Sequence, residues 1–334
     1  MNKIEFGDCR ETMRKWASQG IKAQTCVTSP PYFGLRDYGH EGQIGLEQTP
    51  EQYISAMVEV FRCVRDVLAD DGTLWVNIGD SYAAQRGGTY MPAQTVAGGV
   101  GGKGDNKAFR GMGDEKRGAA HRNATAIGLK HKDLIGIPWM LAFALRADGW
   151  YLRQDIIWNK PNPMPESVRD RCTKSHEYIF LLSKSEKYFF DSDAIRENSV
   201  DPEGSAKRYK APFFVGDKHE SGGYSANGAK HTGGMKEFDG KRNKRSVWTV
   251  NTKPYKGAHF ATYPIALIEP CILAGSRPDD IVLDPFMGSG TTASVAVRHG
   301  RKYLGCELNA DYGPLQEERI KGEIPEPEKQ MSLI

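Results

Sequence analysis

The sequence predicts an α/β protein: a mostly parallel sheet with helices on both faces and one antiparallel hairpin. Three observations carry this reading. Apolar runs of strand length, such as TLWVNI (73–78) and IVLDPF (281–286), alternate with segments of helical periodicity. The spacing of strand, helix and strand suits parallel βαβ units. One strand runs into a glycine-rich turn that opens a helix, GSGTTA (288–293).

Taken in order, Ile4 to Phe6 reads as a short strand closed by Gly7-Asp8, and residues 10–19 as a helix. Thr25 to Val27 is a strand ending in Thr28-Ser29-Pro30-Pro31-Tyr32. Thr49-Pro50-Glu51-Gln52 is a capping box with proline at the first helical position. Tyr53, Met57, Phe61, Val64 and Leu68 then recur at helical spacing until Asp71-Gly72 ends the run. A helix follows over Pro138 to Arg146, and DIIW (155–158) reads as a strand. EYIFLL (177–182) and KYFF (187–190), separated by SKSE, suit the hairpin. In the last third, Pro264 to Ala274 is a helix, 281–286 a strand, Thr291 to Arg298 a helix, and KYLGCEL (302–308) a strand before one more helix.

Two stretches lack this order. Residues 85–132 hold RGG, GGVGGKG and RGMG and an excess of basic over acidic residues. They form either a solvated linker or a basic loop that meets phosphates. Residues 192–256 carry KRYK and GKRNKR, with Phe213, Phe214, Tyr224 and Trp248 interspersed. Basic residues mixed with aromatics suit nucleic-acid contact, so this stretch is expected to be a target-recognition module. The remaining pieces, 1–84, 133–191 and 257–325, are expected to form one domain, and 326–334 a frayed tail.

At 334 residues with 39% apolar content, the chain can bury a sizeable core, and a net charge of +3 excludes a polycation. None of the six cysteines pairs at C-x-x-C spacing, so no metal site is expected. With no apolar run of membrane-spanning length, a soluble, cytoplasmic protein with reduced thiols is expected.

The glycine turn fits G-x-G-x-x-[GA], and Glu307 ends the next strand. In this setting the turn is a nucleotide-site signal, because glycines admit a ligand to the backbone and the acid can bond ribose hydroxyls. No lysine follows Gly290, which disfavours a nucleoside triphosphate. A dinucleotide would place its pyrophosphate at the turn; S-adenosylmethionine has none. Asp284-Pro285-Phe286 ahead of the glycines favours the latter, with the acid facing an ammonium group and the phenylalanine beside it. A merely tight strand–helix turn is the plain alternative.

TSPPY (28–32) together with DPFMGSGTT (284–292) resembles the DNA amino-methyltransferases, which methylate exocyclic nitrogens of cytosine or adenine. Catalytic motif first and cofactor motif last resembles the beta group of that family. The resemblance implies a Rossmann-like methyltransferase sheet in circularly permuted order, S-adenosyl-L-methionine as cofactor and double-stranded DNA as partner. It also implies roles for residues. Asp284, Pro285, Phe286, Gly288, Ser289, Gly290 and Thr291 are expected around the methionine end of the cofactor, and Glu307 at its ribose. Asp8 matches the acid that bonds the adenine amino group, unless it is a plain turn residue. Thr262 and Pro264, in HFATYPIALIEPCI (259–272), lie in the segment packed over the cofactor. Relatives suggest a homodimer and an accompanying restriction endonuclease.

In this reading the slow partner is the nucleophile, because an aromatic amine's lone pair is delocalised into its ring. Hydrogen bonds from the amine to the Ser29 hydroxyl and the Pro30 carbonyl favour a pyramidal nitrogen. Pro31 stiffens the corner, and Tyr32 is expected to stack on a base taken out of the duplex. Serine at position 29 favours cytosine N4, with adenine N6 the alternative. Arg36, Tyr38, Arg169, Arg171 and His176 are candidates for DNA contact beside the target base, as are Lys241, Arg242, Lys244 and Arg245 in the recognition module. Cys271, after Pro270, sits in an apolar helix and is read as core, not as a thiolate nucleophile. The rival readings are a catalytically silent DNA-binding protein and a methyltransferase acting on RNA or small molecules.

Overall fold

A computed structural model describes residues 2–35, 39–40, 42–83, 127–210, 239–252 and 263–323. The predicted insertion at 85–132 and tail at 326–334 therefore fall largely outside the described residues. The chain divides into two compact units, Met1–Asp191 with Ser246–Ile334, and Ser192–Arg245.

In the larger unit, β1 (Asn2–Phe6) leads through Gly7 to α1 (Cys9–Ser18). Asp8 caps α1, its carboxylate accepting the Arg10 N–H at 2.7 Å. After β2 (Ala23–Thr28), α2 (Pro50–Val67) starts at Thr49, whose hydroxyl accepts the Gln52 N–H at 3.2 Å. Its stripe of Tyr53, Met57, Phe61 and Val64 is fully buried. Burying such side chains contributes roughly 1.5–3 kcal/mol each, against about 1 kcal/mol for a cap, so packing holds α2 in place. The helix ends at Val67, earlier than Asp71-Gly72, because β3 (Leu68–Ile78) begins at once.

Next come α3 (Ile137–Ala147), β4 (Tyr151–Asn159) and β5 (His176–Ser183). The expected hairpin of 177–182 with 187–190 does not form. Instead β5 runs antiparallel between β3 and β4. Residues 187–190 are not a strand: Phe189 donates its N–H to the Asp71 carbonyl at 2.9 Å, and Phe190 stacks on Trp75 at 6.2 Å. Their alternating aromatics satisfy packing against the sheet's rim without ladder bonds.

The smaller unit holds β6 (Glu197–Asn198), α4 (Pro202–Lys210) and β7 (Lys241–Arg242), with β6 and β7 paired antiparallel. The predicted module at 192–256 thus ends earlier, at Arg245. β8 (Val247–Thr249) pairs parallel with β4 in the main sheet, and Trp248 is buried there, so this aromatic is core.

The chain closes with α5 (Ile265–Gly275), β9 (Ile281–Asp284), α6 (Thr291–Arg298), β10 (Lys302–Glu307) and α7 (Gly313–Lys321). Cys271 is buried in α5, as expected of core. The eight-stranded sheet has the order β1-β10-β9-β2-β3-β5-β4-β8, with β5 alone antiparallel to its neighbours. From β9 the chain continues outward to β10 on one side, whereas β2 continues to β3 on the other. The pair β2–β9 is therefore a topological switch point, where open α/β sheets place a crevice at the strands' carboxyl ends. Among the described residues, no helix is long and apolar enough to cross a membrane.

Candidate active site

β2 and β9 are hydrogen-bonded neighbours, with Thr25 opposite Val282 and Cys26 opposite Leu283. Their carboxyl ends bring the proline elbow and the glycine turn to one rim of the sheet. The Thr28 hydroxyl donates to Asp284 Oδ1 at 2.6 Å, and the Phe286 N–H donates to the same oxygen at 3.0 Å. Oδ2 accepts from Thr292 Oγ1 at 2.6 Å and from the Tyr263 hydroxyl at 3.0 Å; Tyr263 and Thr292 also bond each other. Burial pushes the Asp284 carboxyl above its usual range, and the Thr28 and Thr292 bonds oppose that rise.

A carboxylate has about four acceptor sites, and the protein surrounds this one with Thr28, Phe286 N–H and the Tyr263–Thr292 hydroxyl pair, one proton of which serves the pair's mutual bond. The side chain is fully buried. Asp284 was expected to face a ligand's ammonium; it is instead an internal strut between the two motifs. The reason is that a buried carboxyl must be satisfied, and the protein itself supplies the donors.

Gly288 and Gly290 have φ of 52° and 82°, the left-handed region that favours glycine. The Gly288 N–H donates to Glu307 Oε2 at 2.7 Å, and the Asn309 N–H to Oε1 at 2.9 Å. Burial raises the Glu307 carboxyl. From α7, Gln316 donates to the Gly288 carbonyl and Arg319 to the Ser289 hydroxyl, both at 2.7 Å. Ser289, Thr291 and Pro285 are buried, so they shape the turn from behind, while Phe286, Gly288 and Glu307 are partly exposed. A turn whose first amide is already held by a carboxylate is poorly disposed to a pyrophosphate and suited to a ligand with ribose hydroxyls and a cationic end.

Asp8 follows β1, the strand beside β10. Phe6 pairs with Glu307, and the Gly7 N–H donates to the Glu307 carbonyl at 2.8 Å. A hydrogen bond from the Arg10 side chain holds the Asp8 carboxyl below its ordinary range, against burial. Asp8, Glu307 and Asp284 thus stand at the ends of three consecutive strands. Pro264 is the N-cap residue of α5; Thr262 lies outside the described residues.

At the elbow, Pro30 is buried, and Ser29, Pro31 and Tyr32 are half-buried. The Pro31 carbonyl accepts from the Tyr53 hydroxyl at 2.8 Å, so α2 pins it. Tyr32 donates to Glu177 Oε2 at 2.8 Å, and Asn77 Nδ2 donates to the same oxygen at 3.2 Å. Lys160 forms an ion pair with Oε1. Burial pushes the Glu177 carboxyl up, but the Lys160 charge and the bonds from Lys160, Tyr32 and Asn77 outweigh it and hold the group below its ordinary range. Burial, with the Glu177 charge next, raises the Tyr32 phenol well above its usual value. The Tyr32 hydroxyl is thus engaged inside the protein.

The sequence reading gave no site role to Thr28, Asn77, Lys160, Glu177, Tyr263 or Thr292, nor to Tyr53, Asn309, Gln316 and Arg319. The signal for two was present, as Lys160 and Glu177 are charges set against the apolar strands DIIW and YIFLL.

The DNA candidates separate. Arg169 is exposed. Arg171 is turned inward, pairing with Glu166 at 2.6 Å and lying 4.0 Å from the Tyr82 ring centroid. His176 opens β5 with its ring edge-on to Tyr178 at 5.4 Å, and burial lowers its pKa. Arg36 and Tyr38 lie outside the described residues. In the smaller unit, Arg242 and Arg245 both bond Glu197, at 2.9 and 3.0 Å, and the Lys241 N–H bonds Asp239 at 3.0 Å. Lys244 is half-buried. The basic run is thus partly neutralised by its own unit.

A switch point with a Ser-Pro-Pro-Tyr elbow on one strand and a glycine turn on the next is the framework of a nucleotide-dependent group-transfer fold. Comparison with known sequences makes this specific: the profile of the DNA methylase family matches residues 23–318, and the chain belongs to that family. It is 46% identical over 317 residues to the Type II methyltransferase M.Cfr9I of Citrobacter freundii, covering 95% of this chain and 87% of that protein. It is 47% identical over 323 residues to the Type II methyltransferase M.SmaI of Serratia marcescens, covering 95% and 90%. Among solved structures, the fold resembles PvuII DNA methyltransferase (cytosine-N4-specific), with TM-score 0.57, 16% identity and coverage of 95% and 86%. It also resembles the putative DNA modification methylase TTHA0409 of Thermus thermophilus complexed with S-adenosyl-L-methionine, with TM-score 0.54, 22% identity and coverage of 97% and 95%.

Proposed function

We propose that this DNA methylase transfers a methyl group from S-adenosyl-L-methionine to the exocyclic N4 of a cytosine turned out of duplex DNA. The observation that carries the reading is the junction of β2 and β9, which sets the Ser29-Pro30 elbow beside the glycine turn. Serine rather than an acid at position 29 supports cytosine over adenine. The motif order supports the beta group, and the Type II relatives support pairing with a restriction endonuclease.

Phe286, the Gly288–Gly290 turn, Glu307 and Asp8 would hold the cofactor; when bound, it supplies an electrophilic methyl group on a sulfonium centre. The elbow acts on the other reactant. Ser29 Oγ and the Pro30 carbonyl accept the two amine N–H groups, which favours a pyramidal nitrogen and aims its lone pair at the turn. Pinning by Tyr53 keeps the Pro31 peptide from rotating, so these acceptors stay in place. The Tyr32 ring stacks on the everted base. Arg169 and the smaller unit's basic residues meet the phosphate backbone, while Arg171 positions its loop through Glu166.

Incubation with tritiated S-adenosyl-L-methionine and duplex DNA from a methylation-free host tests this. Label should enter DNA with the wild-type protein and be lost with Ser29→Ala. Absence of label across diverse DNA, with label in RNA or small molecules instead, would overturn the reading.

A further inference from the structure

We infer that Glu177, backed by Lys160 and Asn77, is a positioning residue: it anchors the Tyr32 hydroxyl and so fixes the setting of the ring that meets the substrate base. This rests on the role given to Tyr32 above.

The anchor is built from three neighbouring strands. Asn77 lies near the carboxyl end of β3, Glu177 near the start of β5, and Lys160 directly after β4. β5 runs antiparallel to both neighbours, so its first residues reach the rim where β3 and β4 end. Lys160 and Glu177 are 7% and 3% exposed, and their ion pair is sealed inside the protein. The Lys160 N–H bonds the Ser175 carbonyl at 2.8 Å, and its ammonium lies 4.2 Å from the Trp158 ring centroid. Asn77 Nδ2 donates to Glu177 Oε2 at 3.2 Å and to the Tyr178 carbonyl at 3.1 Å. That spends both amide protons and turns Oδ1 toward Tyr32.

The Tyr32 hydroxyl thus lies between two acceptors, Glu177 Oε2 at 2.8 Å and Asn77 Oδ1 at 3.5 Å. It has one proton, and the shorter, charge-assisted bond takes it. The ring's edge is held as well. A Cβ at Gly79 would stand 2.8 Å from Tyr32 Cε2 and 3.3 Å from the Glu177 carboxyl carbon, so bare backbone closes on the ring and the carboxyl together. With its tip bonded and its edge packed, the side chain has little freedom in its two torsions, yet the residue is only half-buried. Stacking on a base needs a ring alone, so the hydroxyl serves another purpose. A sealed ion pair is weak support for stability, since apolar replacements often serve as well. Its contact with the elbow's aromatic assigns it to orientation instead.

The test is kcat with tritiated S-adenosyl-L-methionine and duplex DNA from a methylation-free host, with cofactor Kd from calorimetry. Tyr32→Phe keeps the ring and loses the bond. It should lower kcat by roughly tenfold to a hundredfold, as misplacement of a reacting group does, with cofactor Kd changed less than about twofold. The pair Lys160→Met with Glu177→Leu removes the anchor without stranding a charge and should show a similar loss. In a Tyr32→Phe background that pair should cost less than about threefold more, because the bond is already absent. Lys160→Met with Glu177→Gln keeps an acceptor, oriented by Asn77, and should lose less than about threefold relative to wild type. Wild-type kcat in Tyr32→Phe, equal losses in the leucine and glutamine pairs, or an undiminished cost of the leucine pair in the Tyr32→Phe background would each overturn the inference. Should the leucine pair fail to fold, Tyr32→Phe and the glutamine pair still decide it. Tyr32→Ala runs in parallel: full turnover there would sink the role of Tyr32 itself, whereas a loss there with wild-type kcat in Tyr32→Phe sinks only the anchor.

Discussion

Thr28 and Asp284, 256 positions apart in the chain, are joined by a 2.6 Å hydrogen bond at the carboxyl ends of neighbouring strands. Thr28 precedes the proline elbow directly, and Asp284 precedes the glycine turn. A shift of either motif is therefore transmitted to the other through one carboxylate, which Thr292 and Tyr263 also grip.

Removing the bond should be felt in both stability and turnover. Thr28→Val keeps the shape but leaves the buried Asp284 one donor short, at a cost of about 1–3 kcal/mol. Thr28→Ser should cost less. Urea unfolding gives the stability, and kcat in the labelled-methyl assay should fall only in the valine variant.

The elbow and the turn should separate kinetically. Ser29→Ala is expected to lower turnover while cofactor affinity, measured by calorimetry, stays near wild type. Gly290→Leu should instead lower cofactor affinity, and turnover with it. A left-handed φ costs a side chain about 1–2 kcal/mol, and its Cβ would meet Gln316 at 3.4 Å.

Two buried carboxyls should act on stability with opposite pH dependence. Glu177 has its pKa lowered, so its contribution is present above the ordinary carboxylate pKa and is lost as pH falls through the folded value. Asp284 has its pKa raised, so its contribution is greatest below the ordinary value and declines as pH rises through the folded one. Urea midpoints from about pH 2 to 8 should therefore lose slope on the acid side of the ordinary carboxylate pKa in Lys160→Met with Glu177→Gln, and slope above it in Asp284→Asn.

Breaking the interior pair on one side only should be severe. Lys160→Met strands the Glu177 carboxylate and should destabilise by roughly 3–5 kcal/mol, whereas adding Glu177→Gln should restore most of that. Thermal unfolding of the three proteins checks it; equal losses in single and double variants would count against charge stranding.

The parts legible in the sequence were those governed by local rules. Periodicity placed α2, because Tyr53, Met57, Phe61 and Val64 report one buried face. The glycine turn was legible because a left-handed φ at Gly288 and Gly290 leaves a residue-type signature. Long-range complementarity left none. Nothing near Asp284 announces that Thr28 will fill its hydrogen-bond capacity, so it read as a ligand contact. The strand KYFF failed because aromatics packing on a rim alternate as strand residues do. Trp248 looked like part of a basic surface because its neighbours Lys244 and Arg245 are charged, yet its side chain packs into the main sheet.

The central claim is that the elbow directs an exocyclic amine at a methyl donor held by the turn. Mass spectrometry of nucleosides from a methylation-free host expressing the protein tests it most directly. N4-methylcytosine is the predicted product, absent when Ser29→Ala is expressed instead. N6-methyladenine would overturn the choice of cytosine, and C5-methylcytosine or unmodified DNA would contradict the account as a whole.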